Sequence, residues 1–222
     1  MSDTNIPISP AAKSAYNTKL DKLYRLIRAL IQIGIWLPLA YLVLGYLTNN
    51  LGFNPIQFAT QYTGRTAITL LILSLACTPI SNITHIKMIA RLRYMLGVYS
   101  FFYAAIHFLI YATADYGFQS TIFLQSIAMQ PFIWPGIGAF LILFTLALTS
   151  HQWWACKMGK YWNYLHRLIY AASILAVLHY GYALKGDLLM LRGNINRPLL
   201  YGIVVIILLA MRLKPARNLH AK

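Results

Sequence analysis

The 222-residue chain contains no glutamate, and its only acids are Asp3, Asp21, Asp115 and Asp187. Charged residues amount to 10%, where a soluble globular domain carries roughly a quarter. The two cysteines, Cys77 and Cys156, fall in different segments without a CxxC spacing, which excludes a disulfide framework and a cysteine-based zinc site. No GxGxxG follows a strand-like run, so no nucleotide-binding domain of the kind an NADPH-drawing ferric reductase needs is expected. Internal repeats and low-complexity tracts are absent as well.

What the chain has instead is apolar surface: 59% of its residues are hydrophobic and the mean hydropathy is +0.58. Six apolar runs approach spanning length, near residues 29–47, 66–80, 96–114, 132–150, 164–184 and 199–213. They predict an all-α membrane protein, a six-transmembrane-helix bundle. The second and sixth runs are short, so tilt, local thinning or flanking Tyr and Arg must help them across. Local signals delimit the runs. Thr63-Gly64-Arg65-Thr66 opens the second, with Thr63 as cap, and Pro79 closes it. Pro131 opens the fourth and Pro198 the sixth, where a missing N–H does little harm. Pro38, inside the first, predicts a kink.

The 19 Lys and Arg give a net charge of +15. They lie between apolar runs rather than on one face, which argues for membrane lipid and against nucleic acid as the partner of that charge. Lys13, Lys19, Lys22, Arg25 and Arg28 precede the first run; Lys87, Arg91 and Arg93 lie between the second and third. Lys157, Lys160 and Arg167 lie between the fourth and fifth, and Arg212, Lys214, Arg217 and Lys222 follow the sixth. Only Arg65, Lys185, Arg192 and Arg197 fall on the other side. The positive-inside rule therefore predicts cytoplasmic N and C termini. Residues 47–50 offer no A-x-A-like cleavage site, so the first run is expected to be retained. The predicted organisation is a cytoplasmic tail over 1–24, a transmembrane domain over 25–213 and a basic tail over 214–222.

Three histidines fall inside the apolar runs: His107 in the third, His166 and His179 in the fifth. Imidazole at bilayer depth is costly unless something rewards it, and haem iron takes neutral histidine nitrogen as an axial ligand. The third and fifth runs are parallel in this topology, which puts His107 and His179 in the same outer half as a candidate bis-histidine pair. His166 lies 13 residues before His179, roughly 20 Å away along a helix. Its counterpart on the third run is Arg93 or Tyr94, and helical phase prefers Arg93, since fourteen steps of ~100° return to within ~40° of the starting face. On an ideal helix His166 and His179 do not share a stripe, so the helix bends, two haems approach from different sides, or only one is bound. His85, His151 and His220 sit at cytoplasmic ends and read as solvated, although His151 lies at the depth where a second haem would lack a ligand.

Gln61-Tyr62-Thr63-Gly64-Arg65-Thr66-Ala67, Arg91-Leu92-Arg93-Tyr94-Met95-Leu96-Gly97, His107-Phe108-Leu109-Ile110-Tyr111 and Leu165-His166-Arg167-Leu168-Ile169-Tyr170, with His179-Tyr180 beyond, resemble the MsrQ (YedZ) family. Gln130-Pro131 with Gly136, and Leu148-Thr149-Ser150, agree with it, and the ordered set runs from about residue 25 to 213. The resemblance implies a ferric-reductase-like transmembrane fold in a bacterial inner membrane, with b-type haem, one or two, and FMN. It implies electron delivery from the quinone pool, or from a cytoplasmic flavin reductase, to a periplasmic molybdenum-containing methionine sulfoxide reductase (MsrP-like) that repairs oxidised proteins. By position, His107 and His179 match the family's outer-haem ligands and His166 its third transmembrane histidine. Arg93 stands where related di-haem oxidoreductases have a fourth histidine. A guanidinium is a poor iron ligand, but it pairs well with a haem propionate or a flavin phosphate.

FMN has no clean motif. A phosphate would favour the cytoplasmic loops, making Arg91, Arg93, Lys157, Lys160 and Arg167 the candidate contacts. Trp153, Trp154, Tyr161, Trp162 and Tyr164 could stack a flavin, and an interfacial aromatic belt explains them at lower cost. The chain carries no complete catalytic site for sulfoxide reduction, so it reads as an electron-transfer subunit whose partner docks on the outer loops, around 115–130 and 185–197. A stand-alone cytochrome b561-like quinol or ferric reductase, and a non-redox small transporter or scaffold, are the rival readings.

Overall fold

The computed structural model describes residues 10–115, 129–130, 133–183 and 196–213. All regular structure among them is helical, in the order α1 Pro10–Leu47, α2 Pro55–Thr84, α3 Lys87–Ile110, α4 Ile133–Leu148, α5 Gln152–Met158, α6 Lys160–His166, α7 Ile169–Ala183 and α8 Asn196–Leu213. A π-helical turn, Tyr111–Asp115, continues α3. The tails over 1–9 and 214–222, residues 131–132, and 116–128 and 184–195, which hold most of the two loops expected to dock a partner, lie outside the described residues. The chain divides into two compact units, Met1–Leu44 and Gly45–Lys222. The first is made of α1, which continues through Pro38 as one helix; the functional residues are all in the second.

α2 is the helix on which the second unit is built. It begins eleven residues before the apolar run predicted, because Asn54 caps it: its Oδ1 accepts the Gln57 N–H at 3.1 Å, and Pro55 takes the first helical position. Thr63 is therefore no cap. It is a fully buried residue inside the helix, and its hydroxyl donates to the Ala59 carbonyl at 2.8 Å. Nor does Pro79 close the helix, which runs to Thr84 and ends on His85 in the left-handed conformation (φ 58°). Polarity hid these outer turns: Gln57, Thr60, Gln61 and Arg65 lower the hydropathy of a segment that is helical throughout.

Residues of α2 pack against α3, α7 and α8. Ile68, Ile72 and Leu75 meet Val205 and Leu208 of α8; Leu71 meets Leu143 of α4 and Ala172 of α7. Because lipid is as apolar as a leucine face, helix association in a bilayer relies on close packing of small residues and on hydrogen bonds between helices. Both are present. The Ser100 hydroxyl donates to the Ala67 carbonyl at 2.9 Å and Ser74 to the Arg93 carbonyl at 2.8 Å. Thr69 and Tyr201 share a hydroxyl bond of 2.8 Å. At the far end of α8, Arg212 donates to Tyr170 Oη at 2.9 Å and to the Leu75 carbonyl at 2.7 Å.

Among the described residues, three helical stretches are long and apolar enough to cross a membrane, Asp21–Leu47, Pro55–Thr84 and Lys87–Thr113, and a fourth crossing results if α4 and α5 are one span. α5 turns 92° from α4, so it lies along any slab that α4 crosses. The fifth apolar run is broken: α6 ends at His166, and Leu168 and Tyr170 donate to Leu165 and Arg167 three residues back. With 16 and 15 residues, α4 and α7 rise only about 22–24 Å, short of a hydrocarbon core of ~30 Å.

Ala172 has no exposed surface where α7 meets α2 and α4. Ala172→Leu is expected to destabilise the bundle by about 1–3 kcal/mol through overpacking, seen as a lower unfolding midpoint in detergent. An unchanged midpoint would contradict this packing.

Candidate functional site

The N-terminal turns of α2, α4 and α8 and the C-terminal turns of α3 and α7 enclose a cavity of about 360 Å³, within the usual range for a ligand site. Ile68, Leu71, Phe108, Phe140 and Leu143 make its walls predominantly apolar, and Phe108 stacks on Phe140 with ring centroids 5.2 Å apart. His107 from α3 and His179 from α7 both line it, their ring centroids 6.0 Å apart and their planes at 75°. The sequence predicted this pairing from topology alone.

How α2 receives His107 follows from one missing side chain. His107 Nδ1 lies 2.8 Å from the Thr60 carbonyl oxygen; a carbonyl only accepts, so Nδ1 carries the proton and donates it. Gly64 stands one helical turn after Thr60, and side chains in a helix lean back toward its N-terminus. Any Cβ at 64 would cover that carbonyl, 3.0 Å from Nδ1. Gly136 does the same for His179: a Cβ there would stand 2.7 Å from Nδ1 and 2.8 Å from Cε1, closer than real contacts allow. In both cases the glycine faces the Nδ1–Cε1 edge. Fixing the proton on Nδ1 leaves His107 Nε2 with a lone pair, the state a metal ligand requires.

The donor set suits haem in particular. Among the described residues no group of three or more His, Cys, Asp or Glu could hold a bare metal ion; a porphyrin brings its own equatorial nitrogens and asks only for axial ligands. Metal–imidazole bonds of ~2.0–2.1 Å put two rings that share one metal at centroids roughly 6 Å apart, which is the separation found here.

His166 is at the opposite end of the α6–α7 pair. Its ring stacks on Trp162 at 4.0 Å, and Trp162 Nε1 donates to the Thr149 carbonyl at 2.8 Å. Thr149 Oγ1 gives its proton to Thr145 O at 2.7 Å, so the 3.3 Å contact to His166 Nε2 has the imidazole as donor. The nitrogen that His107 keeps free is thus protonated in His166. Among the described residues no second histidine opposes it: Arg93 stands within electrostatic range, as helical phase predicted, and Arg93 Nη1 reaches Thr78 Oγ1 at 3.4 Å. His151 is exposed and caps α5, its Nδ1 accepting the Trp153 N–H at 3.2 Å.

The basic residues considered for FMN do not line the cavity. Arg91, Arg93, Lys157, Lys160 and Arg167 are all exposed. Lys157 sits over Trp153 at 4.7 Å, Lys160 over Tyr161 at 5.6 Å and Arg167 over Tyr164 at 5.2 Å. Each cation rests on the aromatic face of its own segment, an interfacial arrangement, and these residues form no described cradle for a flavin. Sequence reasoning named Gly64 and Gly136 without a role and did not single out Thr60; an isolated glycine in a helical pattern is the available signal for such a close approach.

A family model described as "Ferric reductase like transmembrane component" matches residues 63–177, which include His107 and His166 and end two residues before His179. The chain is 36% identical over 188 residues to the "Protein-methionine-sulfoxide reductase heme-binding subunit MsrQ" of Herminiimonas arsenicoxydans, covering 84% of either chain. It is 36% identical over 186 residues to the protein of that name from Bordetella pertussis, covering 84% of this chain and 88% of the relative. A third, from Xanthomonas axonopodis pv. citri, is 39% identical over 163 residues, 73% of this chain and 71% of the relative.

Gly136→Ala must displace the His179 ring. In a Soret titration of the purified protein, its affinity for ferric haem is expected to fall at least tenfold, about 1.4 kcal/mol. Gly64→Ala, with its longer contact, should lose less. Wild-type affinity in Gly136→Ala would show that the glycine is not what admits the imidazole.

Proposed function

The chain belongs to the MsrQ family of haem-binding subunits of protein-methionine-sulfoxide reductase, within the ferric-reductase-like transmembrane group, and from that premise we propose that it is the membrane electron-transfer subunit of such a system. The observation that carries the proposal is the His107–His179 pair, 6.0 Å apart across an apolar cavity with the His107 Nδ1 proton held by Thr60. A b-type haem bound there supplies one-electron transfer. The chain's residues do the rest. His107 and His179 hold the iron, Thr60 fixes the tautomer and ring orientation of His107, Gly64 and Gly136 admit the rings, and Phe108 and Phe140 keep water from the site.

In the proposed topology six segments cross the bacterial inner membrane with both termini cytoplasmic. α6–α7 then forms the fifth crossing and α8 the sixth. The distribution of Lys and Arg supports this orientation; it turns the cavity toward the periplasm and His166, Arg93 and Arg212 toward the cytoplasm. Electrons enter on the cytoplasmic side, from the quinone pool or a flavin reductase, and leave toward a periplasmic molybdenum-containing methionine sulfoxide reductase that docks around 115–130 and 185–197. FMN belongs to the proposal only as a ligand of the basic cytoplasmic face. A second haem on His166 would need that imidazole to give up its bond to Thr149, and we count one haem as the proposed complement.

A stand-alone ferric reductase is the second reading, favoured by the description of the matching family model. Electron transfer from the reduced protein to the periplasmic sulfoxide reductase, measured against transfer to ferric chelates, separates the two.

His107→Ala and His179→Ala are each expected to remove most of the dithionite-reduced α-band of the purified protein, whereas His166→Ala leaves it in place. Loss of all haem in His166→Ala would show that the pairing is wrong, and a wild-type protein with no Soret absorption would favour a non-redox role.

A further inference from the structure

Two guanidiniums face the cavity that holds the histidine pair. Among the described residues lining it, Arg65 and Arg197 are the only Lys or Arg, and none is Asp or Glu. They come from separate elements: Arg65 follows Gly64 on α2, and Arg197 lies in the first turn of α8. Both act electrostatically on Tyr180, the residue next to His179, so the two charges converge on one edge of the site.

Among the described residues, neither has an anion of its own. Arg65 Nε reaches the Gln61 carbonyl at 3.4 Å and its Cζ lies 5.8 Å from the Tyr62 ring. Its two terminal nitrogens have no hydrogen-bond partner among the described residues, and Arg197 makes neither hydrogen bond nor ion pair among them. The chain has only four acids with which to supply one. Arg65 is half-buried and Arg197 exposed; guanidinium stays charged at any ordinary pH, and two such charges beside a predominantly apolar cavity favour an anionic ligand edge there. Two fixed cations on one edge call for two anions on one edge, and guanidinium matches carboxylate best.

We propose that Arg65 and Arg197 receive the two propionate carboxylates of the haem held by His107 and His179. This rests on the haem reading above and adds the orientation of the ligand within the cavity: carboxylates toward the α2–α8 edge beside Tyr180, the apolar edge of the ring toward Leu71, Leu143 and Phe140. It also makes Arg65 and Arg197 positioning residues, whose charge favours the ferrous state by opposing the extra positive charge of ferric iron.

The test uses full-length apo-protein from haem-limited cells, loaded with haemin or with haemin dimethyl ester, which lacks free carboxylates. Wild type is expected to bind haemin at least tenfold more tightly than the ester. Arg65→Gln and Arg197→Gln should each narrow that ratio and lower the midpoint potential, and the double variant should bind both ligands equally. Arg65→Lys with Arg197→Lys, which keeps the charges and controls for folding, should restore much of the preference. A wild type that does not distinguish the two ligands while showing a bis-histidine spectrum would overturn the proposal and leave the haem site standing. So would a double variant that keeps the full preference, or one that loses only salt-dependent electron transfer to the partner, which would assign the arginines to an acidic docking surface. Absence of a bis-histidine spectrum from loaded wild type would overturn the haem reading itself.

Discussion

One hydrogen bond, from His107 Nδ1 to the Thr60 carbonyl, determines what the rest of the site can do. An imidazole inside an apolar bundle has two nitrogens and needs a use for both. Tying Nδ1 to a backbone carbonyl fixes tautomer and ring orientation together and leaves Nε2 unprotonated in the cavity. That bond in turn requires the carbonyl to be reachable from another helix, hence a glycine one turn later. It also requires α2 to begin early enough to contain residue 60, hence the Asn54–Pro55 start. A cap, a glycine and a histidine on three different stretches of chain therefore answer one physical requirement.

The two ends of the bundle answer it differently. His179 meets a second imidazole and a glycine; His166 meets a threonine hydroxyl, a tryptophan face and the charge of Arg93. The α6–α7 break lies between them, just past His166, where the backbone tightens to three-residue hydrogen bonds. Thirteen residues on a continuous helix would have turned the two rings away from each other; the break removes any fixed phase between them. The histidines at the two ends are thus not copies of one site: His179 shares a cavity with a second imidazole, whereas His166 has an arginine in electrostatic range.

Much of this was legible in the chain. Apolar runs located α1, α2, α3, α4, α7 and α8 but not α5 or the break between α6 and α7, and topology set His107 opposite His179 and His166 opposite Arg93. The runs misjudged where α2 begins and ends, because hydropathy is blind to a helix whose first turns are polar: Thr63, read as a cap, is buried in its middle. The Asn-Pro dipeptide was the better signal. The roles of Thr60, Gly64 and Gly136 were not legible, since a glycine's use depends on what approaches it from another helix. The convergence of Arg65 and Arg197 was hidden for the same reason: charge counting assigned both to one side of the membrane and could not show that they face one cavity.

The central claim is that one iron sits between His107 and His179. Anomalous scattering at the iron edge from crystals of the haem-loaded protein tests it most directly. The account predicts one iron about 2.0–2.1 Å from Nε2 of both residues, with the Thr60 carbonyl still bonded to His107 Nδ1. An iron bound to either ring through Nδ1, or found only at His166, would contradict it.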